Sequence, residues 1–123
     1  MGNNVVRCRP DEGQWVTNPA ASSGEATFFP EAFGQDGAPF MFLVRFPPND
    51  VRVAHSHHDD IFYVFVAGEN HVEGEGTYRA GDVRWVRAGH VYGPEKTGPD
   101  GASWWVISKG NPAIIPVADP ATT

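Results

Sequence analysis

Val51-Arg52-Val53-Ala54-His55-Ser56-His57 is the stretch on which the reading of this chain turns. Pro47-Pro48-Asn49-Asp50 forces a turn ahead of it, and Ile61 to Val66 behind it is an apolar run closed by Ala67-Gly68-Glu69-Asn70. Asn49 to Ala67 is the longest run without Gly or Pro, and its Val, Phe, Tyr and His content favours strand over helix. Strand side chains alternate faces. Val51, Val53, His55 and His57 share one parity and Arg52, Ala54 and Ser56 the other. The two imidazoles are therefore expected to continue the apolar face of the valines and to point into the core.

Outward from this stretch the same texture repeats. Trp15-Val16 and Glu25 to Phe29 read as short strands, and residues 30 to 39 as loop. Phe40 to Phe46 is nearly continuous apolar, the pattern of a strand covered on both faces, and Ile61 to Val66 reads the same way. His71 to Gly76 reads as an exposed hairpin beside Glu69, Glu73 and Glu75. Val83, Trp85 and Arg87 alternate in a further strand. Gly89 to Gly101 reads as loop, Ala102 to Ser108 as the last strand, and the Pro-punctuated tail from Gly110 as extended on the surface. About eight short strands with turn signals between them predict an all-β domain, a sandwich or barrel.

Composition agrees and excludes much else. A chain of 123 residues fits one domain. Its 14 Gly and 11 Pro leave no room for a helical bundle, and 41% hydrophobic residues exclude disorder. A formal charge of −6 disfavours nucleic acid and anionic membrane surfaces as partners. The single cysteine, Cys8, permits no internal disulfide and points to a reducing, cytoplasmic setting. No apolar h-region opens the chain, and no run approaches the ~20 residues that span a bilayer. No Ser-His-Asp order, P-loop or dinucleotide Gly motif supports nucleophilic or nucleotide chemistry.

Four of the five histidines lie between His55 and His71, and the fifth is His90. An H-x-H pair on one strand face brings two imidazoles close enough to share an ion, and divalent transition metals favour imidazole with a carboxylate and open positions. A pair of hydrogen-bonded core histidines is the blander reading, but each ring would then need its own polar partner.

Here the sequence resembles the cupin superfamily, whose first motif is G-x5-H-x-H-x3/4-E-x6-G and whose second is G-x5-P-x-G-x2-H-x3-N. Asn49 stands at the opening glycine, His55 and His57 follow in step, and Gly68 closes the first motif. The second begins at Gly81-Asp82. The likeness covers residues 49 to 96 and extends to about 108. Ile61 stands where the glutamate belongs, with Asp60 one residue early. Tyr92 stands at the second-motif histidine, with His90 two residues before it and of the same parity. Arg87 replaces the proline and Lys96 the asparagine. Tyr92-Gly93-Pro94 followed by Gly98-Pro99-Asp100-Gly101 resembles a group of small bacterial cupins in which the third histidine is absent.

The resemblance implies a cupin-like jelly-roll β-barrel over residues 25–109, with an N-terminal arm over 1–24, a tail over 110–123 and a homodimer as the assembly. It implies a divalent transition metal (iron, zinc, manganese, nickel or copper) on His55, His57 and a third ligand from His90, Tyr92 or Asp60. We take His90 as that ligand. Tyr92, His90 and Asp60 are the candidate catalytic residues, Asp60 also as a partner orienting an imidazole. His58 has outward parity and His71 sits in a polar hairpin. The four tryptophans read as filling the core and a subunit interface, and Arg45, Arg52 and Arg84 as exposed strand arginines, with binding of an acidic substrate as their alternative. The function expected is a small metal-dependent enzyme acting on a small oxygenated or aromatic molecule, of oxygenase, isomerase, lyase or cyclase type. The alternatives are a non-catalytic binding cupin and a metal-independent acid–base enzyme using His and Tyr.

Overall fold

The structure is a computed structural model, which describes residues 5–18, 23–28, 37–110 and 112–117. The loop expected at 30–39 and the tail beyond 117 therefore lie largely outside the described residues. Ten strands and no α-helix form the rest: β1 (Gln14–Thr17), β2 (Glu25–Phe28), β3 (Phe40–Phe46), β4 (Val51–Arg52), β5 (His55–His57), β6 (Ile61–Val72), β7 (Gly76–Arg79), β8 (Val83–Val86), β9 (Glu95–Ser108) and β10 (Ile114–Pro116). Among the described residues no helix is long and apolar enough to cross a membrane.

One antiparallel sheet runs β1-β2-β3-β9-β6-β7, with β4 joined to β9 and β8 to β6, while β10 pairs with β5. Strand β3 lies beside β9 and not beside β4, the long-range pairing expected of a jelly roll. Hydrogen bonds do not close this sheet into a ring among the described residues. It curves instead, and β6 shifts register against β9 between Phe65 and Ala67 and again between Gly68 and Asn70. At the second shift Gly68 takes φ +68° with its Cα facing the Gly101 carbonyl, a contact that leaves no space for a side chain.

Period-two alternation builds the core. Phe42, Val44 and Phe46 from β3, Ile61, Tyr63 and Phe65 from β6, and Ala102, Trp104 and Val106 from β9 all turn inward. Phe46 stacks on Trp104 at 4.9 Å between ring centres. The opposite face of the sheet keeps apolar side chains in solvent: Phe62 stacks on Trp85 there, the two being 46% and 50% exposed. The two-faced burial expected for Ile61 to Val66 does not hold within one copy of the chain, and of the two places expected for the tryptophans Trp85 is not in the core.

Three other expectations are corrected. Strand β9 begins at Glu95, inside the segment read as loop, because its first residues pair with β6 (Val72↔Glu95, Asn70↔Thr97) and with β4 (Val51↔Lys96). Its Gly98-Pro99 and Gly101 fall where the sheet bulges. The segment after Gly110 does not merely wrap the surface: Ile114 to Pro116 pair with the histidine strand. Finally, Val51 and Val53 are 61% and 65% exposed while Arg52 is buried. The extended chain breaks at Val53-Ala54, between β4 and β5, so parity does not carry across, and the histidines point inward although the valines do not.

Candidate functional site

Strand β5 is held on both sides. Ile114 and Pro116 pair with His57 and His55 on one side, and on the other His55 and Tyr92 exchange N–H···O=C bonds of 3.0 Å. Both histidines and Tyr92 are buried, at 6%, 6% and 5% exposure. Main-chain carbonyls anchor each ring. His55 Nδ1–H donates to the Val53 carbonyl at 2.8 Å, and His57 Nδ1–H donates to that of Pro112 at 2.8 Å. These partners assign the proton to Nδ1 in both rings and leave both Nε2 atoms as lone-pair donors to whatever they face.

They face one point. The Tyr92 hydroxyl lies 2.9 Å from His55 Nε2 and 2.9 Å from His57 Nε2, and the Tyr63 hydroxyl lies 2.7 Å from the same oxygen. The Tyr63 hydroxyl also stands 3.4 Å from His57 Nε2, so two phenol protons serve four contacts. Tyr92 O–H can serve only one Nε2: if it serves His55, His57 has only the long 3.4 Å approach of the Tyr63 hydroxyl, and if it serves His57, His55 Nε2 has no phenol donor unless a cation joins the cluster. On His57 a proton is disfavoured: burial, and then the neighbouring His55, lower its pKa to about 4. Burial and the Glu95 charge push the Tyr92 phenol above its ordinary value, and burial does the same to Tyr63.

A second polar group borders the same cavity. Glu95 Oε1 accepts from Asn70 Nδ2 at 3.1 Å, and its Oε2 stands 3.9 Å from His55 Nε2 and 3.7 Å from Arg52 Nε. Arg52 is 4% exposed. It donates through Nη1 to Asp50 at 3.1 Å and through Nη2 to Asn70 Oδ1, and its Nε has no hydrogen-bond partner. Phe42, Val44, Phe46, Trp104, Val106 and Ile114 supply the apolar walls of a cavity of about 50 Å³. One water needs roughly 10–15 Å³ by this measure, so the space suits a molecule of a few heavy atoms.

Behind the tyrosines lies Arg84, 6% exposed. Its guanidinium sits 4.3 Å from the Tyr92 ring centre and 5.2 Å from that of Tyr63, and a two-pronged bond to Glu75 holds it (2.7 and 2.5 Å). That bond keeps the Glu75 carboxyl below its ordinary value.

The structure brings together His55, His57 and Tyr92 and does not bring His90 or Asp60 to them. Strand β8 ends at Val86, and the next residues turn, with Gly89 at φ +80° and His90 N–H bonded to the Arg87 carbonyl. His90 is consequently exposed and lines an outer recess with Glu75, Arg84 and Arg87. Asp60 is exposed, and its Oδ1 accepts from the Ala88 N–H at 2.8 Å. Among the described residues no three His, Cys, Asp or Glu are grouped to hold an ion. Ile61, at the family's glutamate position, is 1% exposed and part of the core.

Sequence reasoning passed over Tyr63 and Glu95 and read Arg52 and Arg84 as ordinary strand arginines. Tyr63 shares the inward parity of Ile61 and Phe65, and Arg84 that of Val86, so both carried a legible signal. Glu95 carried none, lying in what read as loop.

No protein-family model and no curated protein matches the chain by sequence. Solved structures do match in fold. The polyketide cyclase RemF of Streptomyces resistomycificus superposes with a TM-score of 0.72 at 16% identity, over 94% of this chain and 87% of that one. An acetylacetone dioxygenase of Acinetobacter johnsonii gives 0.67 at 18% identity, over 97% and 80%. An RmlC-like cupin of Ralstonia eutropha JMP134 gives 0.66 at 15% identity, over 85% and 69%.

Proposed function

We propose that this chain, a member of the cupin superfamily by its fold, is a small enzyme that converts a small oxygenated organic molecule in the cavity beneath β5, with a divalent transition metal held by His55, His57 and the Tyr92 oxygen. One observation carries the reading. Two imidazoles are locked by main-chain carbonyls so that both Nε2 lone pairs converge on one phenol oxygen, whose single proton serves only one of them. Anchoring of the far ring nitrogen is what orients metal-ligating histidines. Tyr92 takes the third place expected of His90.

When bound, the metal supplies Lewis acidity or activates a second reactant. The chain's own residues do the rest. The walls of Phe42, Phe46, Trp104 and Val106 exclude water and select an apolar body of few atoms. Tyr63, within 2.7 Å of Tyr92, passes or receives the phenol proton as Tyr92 changes partner. Arg84 lies against both rings and favours negative charge developing on either oxygen. The fold neighbours act on different molecules by their names, so the reaction class rests on this site and not on them.

A metal-independent acid–base enzyme is the second reading, favoured by the Tyr63–Tyr92–His57 chain, which is continuous as it stands. Elemental analysis of purified wild type beside a His55→Ala, His57→Ala variant separates the two. Near-stoichiometric metal in the wild type, lost in the variant, is the expected result, and equal trace metal in both overturns the metal reading. For assembly, we propose that the exposed Phe62 and Trp85 face packs against a second copy of the chain.

A further inference from the structure

Two charged residues outside the proposed metal set line the interior cavity, Glu95 and Arg52. Glu95 is 6% exposed, on the first residue of β9, and borders the cavity. Asn70 Nδ2 pins its Oε1 at 3.1 Å. Its Oε2 lies 3.7 Å from Arg52 Nε and 3.9 Å from His55 Nε2, beyond hydrogen-bond reach of either. Arg52 also borders the cavity, with both terminal nitrogens of its guanidinium engaged. Arg52 directs Nη1 to Asp50 and Nη2 to Asn70, its face lies 4.3 Å from the Phe46 ring centre, and its Nε is sealed from solvent. What this network presents to a ligand is thus a carboxylate oxygen backed by a buried cation. An ionised carboxylate accepts hydrogen bonds and donates none.

We infer that Glu95 Oε2 is the recognition point for a hydroxyl or enol O–H, so that the cavity takes a small neutral molecule bearing that group beside a carbonyl and rejects carboxylates of the same size. The inference deepens the proposed function and rests on the same cavity. The ligand's hydroxyl donates to Glu95 while its neighbouring oxygen lies toward the His55–His57–Tyr92 point, only a few ångströms away. Apolar side chains make up most of the remaining wall, which favours molecules with two adjacent oxygens on a short apolar frame. A carboxylate would set negative charge against negative charge at low dielectric, an arrangement that costs affinity outright.

The test uses three probes, hydroxyacetone, acetone and pyruvate, titrated by NMR into the purified full chain and into Glu95→Gln. Asn70 fixes the carbonyl oxygen of the introduced glutamine, so a donor N–H₂ replaces the acceptor oxygen on the cavity side. Wild type is expected to bind hydroxyacetone at least about tenfold more tightly than acetone or pyruvate. In the variant the pyruvate-to-hydroxyacetone affinity ratio is expected to rise about tenfold or more. A bound metal enters both proteins alike, so this change in ratio reports on residue 95. A ratio that moves less than about threefold, or moves the other way, overturns the inference. Should the variant fail to fold, chelator-treated wild type decides: pyruvate or acetone binding as tightly as hydroxyacetone overturns the inference, and tighter hydroxyacetone supports it. Metal content measured on the same samples tests the metal reading separately, since the ranking of probes stands or falls without it.

Discussion

Replacing Gly68 by alanine tests whether the second bulge sets the position of β9. A Cβ at residue 68 would stand 2.0 Å from the Gly101 carbonyl oxygen and 2.8 Å from Ala102 Cα, with the backbone at φ +68°. The positive φ alone costs an L-residue about 1–2 kcal/mol. Backbone cannot swing aside as a side-chain tip can, so β6 and β9 must separate, and overpacking of this kind adds about 1–3 kcal/mol. The expected total is about 2–5 kcal/mol. Gly74 is the control: it has φ +84° in the β6–β7 turn and no atom within 4 Å of its virtual Cβ, so alanine there incurs the φ term alone. Urea unfolding of the wild type and both variants, with equal m-values, reads the difference as a displaced midpoint. If Gly68→Ala loses no more than about 0.5 kcal/mol beyond Gly74→Ala, the close approach does not constrain the sheet. The register beyond that bulge, Val72↔Glu95, carries Glu95 to the cavity, so the variant is also expected to weaken small-molecule binding.

Three further outcomes are expected. Tyr92→Phe lowers metal affinity about tenfold or more by calorimetric titration, and in metal-free protein costs about 1–3 kcal/mol in urea by leaving a buried imidazole nitrogen unpaired; unchanged metal affinity would remove Tyr92 from the donor set. Glu75 has its folded pKa depressed by Arg84, so its contribution is whole above the ordinary value of 4.5 and is lost as pH falls through the depressed one. The stability gap between wild type and Glu75→Gln, flat from pH 6 to 8 by thermal melts, is therefore expected to shrink only in acid below that value, and a gap that closes near neutrality would contradict the ion pair's role. Phe62→Ser with Trp85→Ser is expected to shift the chain from dimer to monomer in sedimentation velocity, and an unchanged sedimentation coefficient would show that this face is not the interface.

The fold was legible because its signals are local. The His55-Ser56-His57 step, the turn at Pro47 to Asp50 and the run from Phe40 to Phe46 each declare strand or turn within a few residues. Parity served inside unbroken strands, as in Ile61-Phe62-Tyr63, and failed at Val53-Ala54, where the chain turns to offer the Val53 carbonyl to His55. It failed again after Val86, where Gly89 and the Arg87–His90 turn carry His90 outward. Glu95 was hidden for a different reason. Its strand is dense in glycine and proline, and only pairing with residues some 25 and 45 positions earlier, summed over long range, makes it a strand at all. Arg52 and Arg84 read as surface groups because their partners, Asn70 and Glu75, announce themselves only once the sheet is assembled.

The clamp on His57 comes from the Pro112 carbonyl, which lies between the end of β9 and the start of the short strand β10. Proteolytic nicking near Gly110, or a bulky fusion placed there, would leave the major sheet's pairings intact while releasing one imidazole from its tether. Foldedness and competence are thereby uncoupled at this terminus, and tags for purification belong at the opposite end of the polypeptide.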